Sequence, residues 1–342
     1  MVRKALLITT IVAFVYLNQF NMRSGICYAD DQYQIKFATV APEGSTWVKY
    51  MQQLDKRLNE KSNGRIKFRI YAGGIAGDEM DVLKKIRIGQ IHCTAFSGVG
   101  IAQILPMARV LDLPFLFRNI KEVDIVREEL SEFFSEQFRN SNFEFLTWVE
   151  VGDVYLFSQN PITKKDDLLG LKIWTWMEDP ISKKTFQAMG TSPIPLSLTD
   201  VTTALNTNMI DTVYGPPLGA IAMQWHSYIR YMTTFPIAHS TGAVLISKDY
   251  FDKFPKDLSK LFKEEVQSVM AELTSELIRQ ANEAIEIIQK SGVTLTPMPA
   301  ENEMKDFYKI HDLVALDLAD DIYPKNLLDR VYKLLESIRN SP

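Results

Sequence analysis

Residues 34–71 read QIKFATVAPEGSTWVKYMQQLDKRLNEKSNGRIKFRIY, and this stretch decides the fold class. Apolar and polar residues alternate over 34–40 and again over 65–71, which predicts two β-strands. Between them, Ser45 is a candidate N-cap for a helix over about 46–61. A strand, a helix and a second strand in this order indicate an α/β fold with parallel pairing.

The same alternation of strands and helices continues to residue 247. It predicts strands over 91–96, 143–149, 154–158, 171–175, 210–214 and 241–247, and helices over 78–88, 122–140, 180–189, 200–207 (capped by Thr199) and 218–225. The sequence therefore predicts an α/β protein with mostly parallel sheets. Residues 258–289 predict one helix that is longer than a small domain needs, so it is expected to bridge two lobes. No linker-like segment is found, and several strand crossings are expected to join the lobes.

Composition narrows the function classes. The 342 residues are 46% hydrophobic, which excludes a disordered chain and predicts roughly two domains. The formal net charge of −4 argues against a nucleic-acid binder. Two Cys and four His without metal-ligand spacing predict neither a metal site nor a cofactor. Aromatic residues reach 11% and include five Trp.

The N-terminus predicts export. Arg3 and Lys4 precede an apolar run of 13 residues, 5–17, which is shorter than the roughly 20 residues of a membrane span. Small residues precede a cleavage point after Ala29, so residues 1–29 are predicted to be a signal peptide for export, with an uncleaved anchor as the alternative. Its removal takes three of the 38 basic residues and no acidic one, which leaves 35 basic against 42 acidic residues and a charge of −7.

Trp174 and Trp176 form the most informative short motif. Strand alternation places both indoles on one face, where they form a broad apolar wall with N–H donors. The alternative interpretation is that these side chains simply fill a core.

The sequence motifs that would indicate an enzyme are absent or incomplete. There is no G-x-S-x-G, and the glycines of 73–77 lack phosphate-binding spacing and predict a tight turn. The candidates for an exported enzyme are therefore only Glu150, Asp153, Tyr155, Ser97 and Asp211. Asp211 is expected to orient the backbone at a strand end, and each His is expected to be packed or at the surface. No catalytic residue is predicted.

The whole mature chain resembles the DctP-like periplasmic substrate-binding components of TRAP transporters. The resemblance rests on residues 41–47 (APEGSTW), 65–80, 113–115 (LPF), 169–173 (LGLKI) and 193–211, in this order and spacing. It implies two α/β lobes that close on a ligand, with the long helix spanning both. Lobe I is then predicted at 30–151 plus 240–280, and lobe II at 152–239 plus 281–342. It also implies delivery of the captured solute to membrane subunits driven by an ion gradient, with no enzymatic activity.

The resemblance also implies a ligand site. Its predicted residues are Trp47, Phe96, Ser97, Asp153, Val154, Tyr155, Trp174, Trp176, Leu198, Tyr214, Gly215 and Pro216. Several of these depart from the family pattern: the arginine that follows G-L-K-I in carboxylate-binding relatives is Trp174 here, and a second arginine position falls on Val154. A position that carries a polar amide in relatives is Gly215 here. The positions that carry an acid and a base in the third-strand loop of relatives are Ser97 and Gly100 here.

These departures predict a largely apolar or aromatic ligand, because burying a carboxylate against an indole without a counter-charge costs several kcal/mol. Two alternatives remain: a carboxylate held by backbone N–H groups, and a cation held by aromatic faces. The pattern W-x-W-x-x-x-P resembles a TRAP subset that works with a TPR-repeat periplasmic partner. An exported enzyme and an accessory protein that presents a ligand to a sensor are the competing functions.

Overall fold

The computed structural model describes residues 32–177 and 179–340, so the predicted signal peptide lies outside the described residues. The strands are β1 (Tyr33–Ala38), β2 (Ile66–Tyr71), β3 (Cys93–Phe96), β4 (Phe143–Ser158), β5 (Trp174–Trp176), β6 (Ile194–Leu196), β7 (Thr212–Gly215), β8 (Tyr231–Met232), β9 (Ala238–Ser247) and β10 (Thr294–Leu295).

Helices alternate with these strands in the first three quarters of the described chain and dominate its end. They are α1 (Thr46–Lys61), α2 (Glu79–Arg87), α3 (Gly98–Ala102), α4 (Ile120–Asn140), α5 (Pro180–Ala188), α6 (Val201–Asn206), α7 (Pro217–Ala222), α8 (Lys248–Phe251), α9 (Lys256–Lys290), α10 (Glu301–Leu318) and α11 (Lys325–Asn340). Short 3-10 turns lie at Pro106–Asp112, Lys165–Leu168, Leu198–Asp200 and Trp225–Ser227.

An eight-stranded sheet runs through the molecule in the order β10-β8-β4-β9-β3-β1-β2, with β7 also paired to β4, and β5 and β6 form a small second sheet. We call β1, β2, β3 and the adjoining ends of β4 and β9 the first half-sheet, and β7, β8, β10 and the other end of β4 the second half-sheet. The expected parallel pairing holds for β1 with β2 and β3, for β5 with β6 and for β8 with β10. The long central strands pair antiparallel instead, β4 with β7, β8 and β9, and β9 with β3.

Strand β4 corrects one prediction, because 143–149 and 154–158 belong to one continuous strand. Its pairing with β9 shifts register between Glu150 and Gly152. Gly152 has φ +112°, a conformation that favours glycine, so the chain bends there without leaving the ladder. The lobe boundary predicted between residues 151 and 152 falls at this bend, and the full lobe ranges stay a prediction.

The first helix forms as predicted. The Ser45 side chain accepts a hydrogen bond from the Val48 backbone N–H at the N-terminus of α1. Val48, Met51, Leu54 and Leu58 recur at helical spacing and are buried, the last three against the first half-sheet. The cap predicted at Thr199 is wrong: α6 begins after a 3-10 turn, where the Thr199 hydroxyl bonds the Ser197 hydroxyl instead.

Helix α9 has 35 residues and is therefore roughly 50 Å long. Its first half buries apolar side chains such as Phe262 and Val269 with the first half-sheet, and its last turns bury Ile288 with the second. The predicted bridging helix is therefore present, and the α/β two-lobe fold is confirmed. In the described part of the chain, no helix has both the length and the apolar character that crossing a membrane requires.

Candidate ligand-binding site

A cavity of about 750 Å³ lies between the two half-sheets. Ten of the twelve predicted site residues line it: Trp47, Phe96, Ser97, Val154, Trp174, Trp176, Leu198, Tyr214, Gly215 and Pro216. Asp153 and Tyr155 do not line it. Because successive side chains of a strand point to opposite faces, placing Val154 in the wall turns both of its neighbours away.

Aromatic rings form one wall of the cavity. The ring of Trp174 lies 4.9 Å from Tyr214, 6.0 Å from Trp176 and 5.6 Å from Trp225, measured between centroids. Trp174 is 2% exposed, and its indole N–H donates to the Leu196 carbonyl at 3.1 Å. Trp174 therefore belongs to the packed core and also lines the cavity, which are the two alternatives that the sequence left open. Trp225 is part of the wall but was not predicted.

Asp78 connects the two sides of the cavity. At the start of α2, its Oδ1 accepts from the Glu79 N–H at 2.6 Å. Its Oδ2 accepts from Trp176 Nε1 at 3.0 Å, Ser197 Oγ at 2.7 Å and the Leu198 N–H at 3.0 Å. A single buried carboxylate therefore ties the first half-sheet side to the loops around β5 and β6. Local sequence patterns do not indicate this role of Asp78, because its three partners are 98, 119 and 120 positions away along the chain.

Glu79 fixes the loop that precedes α3. Its carboxylate accepts from the Ser97 N–H and Oγ, both at 3.0 Å, and from the Gly100 N–H at 2.9 Å. Burial raises the pKa of Glu79 to about 7, against the lowering effect of these hydrogen bonds. Ser97 also caps α3 through the Val99 N–H, so its hydroxyl is held in structural hydrogen bonds.

A buried charge cluster lines the cavity beside the aromatic wall. Arg109 Nη1 lies 3.1 Å from Asp112 Oδ2, and Nη2 lies 2.7 Å from Asp179 Oδ1. The three side chains are 5%, 8% and 3% exposed, in the order Arg109, Asp112 and Asp179. Burial lowers the pKa of Arg109, but its two carboxylate partners raise it overall, whereas burial raises that of Asp112.

The sequence carries a signal for part of this cluster. Arg109 and Asp112 are charged residues three positions apart inside the apolar run ILPMARVLDLPFLF at 104–117. Charges in such a run are buried and need partners. The third member, Asp179, caps α5 by accepting from the Ile181 N–H, and no local pattern links it to Arg109.

His239 on β9 is packed, as predicted, but between two carboxylates. Nδ1 lies 2.9 Å from Asp153 Oδ1, and Nε2 lies 3.0 Å from a Glu150 oxygen. Glu150 also pairs with Arg127 at 3.0 Å. Burial alone lowers the pKa of His239, but the hydrogen bonds of the two carboxylates raise it overall. These contacts lie where β4 bends.

Four of the five candidate catalytic groups, Ser97, Glu150, Asp153 and Asp211, are thus engaged in structural contacts. Asp211 Oδ1 accepts from the Lys172 N–H and from Thr212 Oγ1, both at 2.9 Å, which orients the strand end as predicted. Within residues 32–177 and 179–340, no cluster of three or more His, Cys, Asp or Glu side chains is arranged to hold a metal ion.

A cavity enclosed between two α/β halves, with strands crossing between them, defines a solute-binding protein of the two-lobe class. The chain belongs to the bacterial extracellular solute-binding proteins of family 7, the DctP family, whose model matches residues 37–315. The predicted TRAP solute-binding family is therefore confirmed.

Similar proteins agree with this assignment. A "Solute-binding protein" of Verminephrobacter eiseniae is 26% identical over 58% of this chain, and the match spans 60% of that relative's length. The sialic acid-binding periplasmic protein SiaP of Vibrio cholerae is 23% identical over 81% of this chain and 88% of its own. The sugar acid binding protein DctPAm of Advenella mimigardefordensis, solved with galactonate, shares the fold with a TM-score of 0.85 at 20% identity, covering 90% of this chain and 99% of that one.

Proposed function

We propose that this protein is the periplasmic ligand-capturing component of a TRAP transporter, and that it binds a small, largely apolar or aromatic molecule in the 750 Å³ cavity. Its role is capture and delivery, with no catalytic step. We propose that ten of the twelve residues predicted from the sequence, all except Asp153 and Tyr155, contact or enclose the ligand.

One observation supports the proposed ligand class most directly. Among the cavity-lining residues that the structure describes, Arg109 is the only Lys or Arg, and an aspartate pairs with each of its Nη groups. His239 also lines the cavity, but it lies between Glu150 and Asp153. The wall around it presents Trp174, Trp176 and Trp225. Apolar ligands gain free energy by leaving water for such a wall, whereas a ligand carboxylate needs a donor set or a counter-charge of its own.

The fold supports a capture mechanism by lobe closure. We propose the lobe ranges 30–151 plus 240–280 and 152–239 plus 281–342, which meet at the bend beside Gly152. Hydrogen bonds from Trp176, Ser197 and Leu198 to Asp78 hold the cavity walls together. A ligand that fills the cavity and contacts both walls shifts the population toward this arrangement.

The remaining elements of the proposal concern location and partners. Residues 1–29 act as the signal peptide, and the mature protein works in the periplasm with two membrane subunits that use an ion gradient. The W-x-W-x-x-x-P pattern at 174–180 supports a further TPR-repeat partner. Co-purification of the mature protein with such a partner from its native membrane fraction tests this last element.

Native mass spectrometry of the purified mature protein, followed by extraction of any bound compound, tests the ligand class directly. A thermal-shift panel complements it, with indole and other neutral aromatics against succinate, galactonate and sialic acid. We expect stabilisation by members of the aromatic group only. Tight binding of any of the three acids contradicts the proposal.

The relatives favour one alternative. SiaP and DctPAm are named for acids, so a small organic carboxylate held through backbone N–H groups is the second candidate ligand. The acid arm of the same panel decides between the two. Turnover of a bound compound favours the exported-enzyme alternative, and binding without transport in a reconstituted system favours the sensor accessory.

A further inference from the structure

The ion pair between Arg109 and Asp179 crosses the cavity. Arg109 lies in the 3-10 turn Pro106–Asp112, which packs on α3 and β9 of the first half-sheet. Asp179 caps α5, which packs on β5 on the opposite side. The contact of 2.7 Å between Nη2 and Oδ1 therefore joins two walls that belong to different halves of the fold.

The pairing places an aspartate carboxylate against each Nη group of Arg109, so a ligand carboxylate would have to displace one of them to reach these donors. Nη1 faces Asp112 and Nη2 faces Asp179. Its Nε is buried and makes no hydrogen bond with any part of the chain that the structure describes. Asp112 is held independently, because its Oδ1 accepts from the Thr241 N–H at 2.8 Å. Asp179 is thus the member that comes from the other wall.

The charge balance around this point is acidic. Asp112 and Asp179 flank Arg109, which is the only Lys or Arg among the described lining residues. The lining also contains His239, which is paired with Glu150 and Asp153. A ligand carboxylate that approached Arg109 would meet the carboxylates of Asp112 and Asp179 at close range. Like charges so near each other in a buried site repel strongly.

We propose that the Asp179 carboxylate occupies the position of a ligand carboxylate at Arg109, so that Asp179 is the residue that excludes carboxylate ligands from this cavity. This inference rests on the proposed function and deepens it: the ligand is a neutral or cationic molecule without a free carboxylate. It also predicts a latent anion site. Removing the Asp179 carboxylate leaves Nη2 of Arg109 without its partner, next to a space of carboxylate size.

The test is Asp179→Ser, with Asp179→Asn as the matched control. Serine keeps a hydroxyl to cap α5, because it is among the preferred N-cap residues, but it vacates the carboxylate volume. Asparagine removes the charge and fills the volume. The probes are sodium acetate and sodium benzoate, with sodium chloride at equal ionic strength as the salt control and indole as the neutral aromatic probe. The readouts are melting temperature and calorimetric titration.

We expect benzoate to raise the melting temperature of Asp179→Ser by at least about 3 °C over chloride, and to bind it at least tenfold more tightly than it binds the wild type. Asp179→Asn and the wild type should not respond to benzoate. Equal benzoate affinity of Asp179→Ser and Asp179→Asn, with both variants folded, overturns the inference. If Asp179→Ser folds only during refolding in acetate, this supports it, and failure to refold in both salts overturns it.

The wild-type arms separate this inference from the proposed function. Indole binding by the wild type, together with no gain in Asp179→Ser, refutes the role of Asp179 and leaves the apolar cavity in place. Tight benzoate or acetate binding by the wild type refutes both.

Discussion

The link across the cavity through Asp78 makes a quantitative prediction. Asp78→Ala removes one carboxylate that accepts three hydrogen bonds from the opposite wall and one from the N-terminus of α2. Trp176→Phe removes one of the three donors, the indole Nε1, and keeps an aromatic ring. The two variants and their combination form a double-mutant cycle.

The magnitudes follow from the contacts. A hydrogen bond to a charged group contributes about 1.5–3 kcal/mol, and Trp176 is only partly buried, so its bond to Asp78 is placed near the lower value. We expect Trp176→Phe to lower the free energy of unfolding by about 1.5 kcal/mol. Asp78→Ala should lower it by roughly 3–5 kcal/mol, of which loss of the α2 cap contributes about 1 kcal/mol. The double variant should cost about 1.5 kcal/mol less than the sum, because the shared bond is lost only once.

Urea unfolding followed by circular dichroism measures the four free energies. Trp148→Phe is the matched control, because the Trp148 indole donates to Ser131 Oγ and the Arg127 carbonyl instead of to Asp78. Its cycle with Asp78→Ala should be additive within about 0.5 kcal/mol. A coupling between Asp78 and Trp176 no larger than in this control would refute the cross-cavity link. Small-angle scattering should also show a larger radius of gyration for Asp78→Ala.

Four further predictions concern stability. The pKa of Glu79 is raised to about 7 in the folded protein, so its protonation stabilises the fold. This stabilisation is fully present below the unfolded pKa near 4.5 and is lost as pH rises through 7. Glu79→Gln should therefore flatten the decline of the unfolding free energy with pH, measured by urea titration at a series of pH values. Because the pKa of His239 is raised in the folded protein, its protonation stabilises the fold below about pH 6.5, and this stabilisation is lost as pH rises through the folded pKa. His239→Gln should therefore destabilise the protein more at pH 6 than at pH 9. A loss of stability that does not depend on pH would contradict this. Trp174→Ala should cost about 3–5 kcal/mol and Trp174→Phe distinctly less, measured by urea unfolding, and equal losses would place Trp174 outside the packed core. Gly98→Ala should lower the melting temperature, because a methyl group there meets the Arg109 side chain and the Asp112 carboxylate. Gly219→Ala is the matched control, because Gly219 likewise has no positive φ and a methyl group there makes only ordinary contacts with Pro216.

Local periodicity explains which parts of the fold were predictable. Helix α1 was predicted with its observed bounds, because its cap and its apolar spacing are both encoded within 46–61. Strand β4 was divided in two, because Gly152 resembles a strand terminator in sequence, whereas pairing with β9 carries the strand through the bend. The partner that decides the outcome is about 90 residues away.

The same distinction applies to the site. The aromatic wall was predictable, since Trp174 and Trp176 alternate on one short strand. Asp153 and Tyr155 do not line the cavity, because they flank Val154 and successive side chains of a strand point to opposite faces. The acidic partners Asp78 and Asp179 were missed, since an isolated carboxylate in a loop gives no sign of which distant donors it meets.

The antiparallel pairing of β4 with β9 restricts how the halves of this protein can move. A flexible tether lets two bodies take many relative orientations, but paired strands hydrogen-bonded on both sides of a bend resist twisting and sliding. The ladder is interrupted twice, between Phe145 and Thr147 and between Glu150 and Gly152, and the second interruption lies where the strand bends. Motion should therefore reduce to rotation about one axis through that point. A single distance between two labels on opposite rims would then describe the conformational state of the whole molecule.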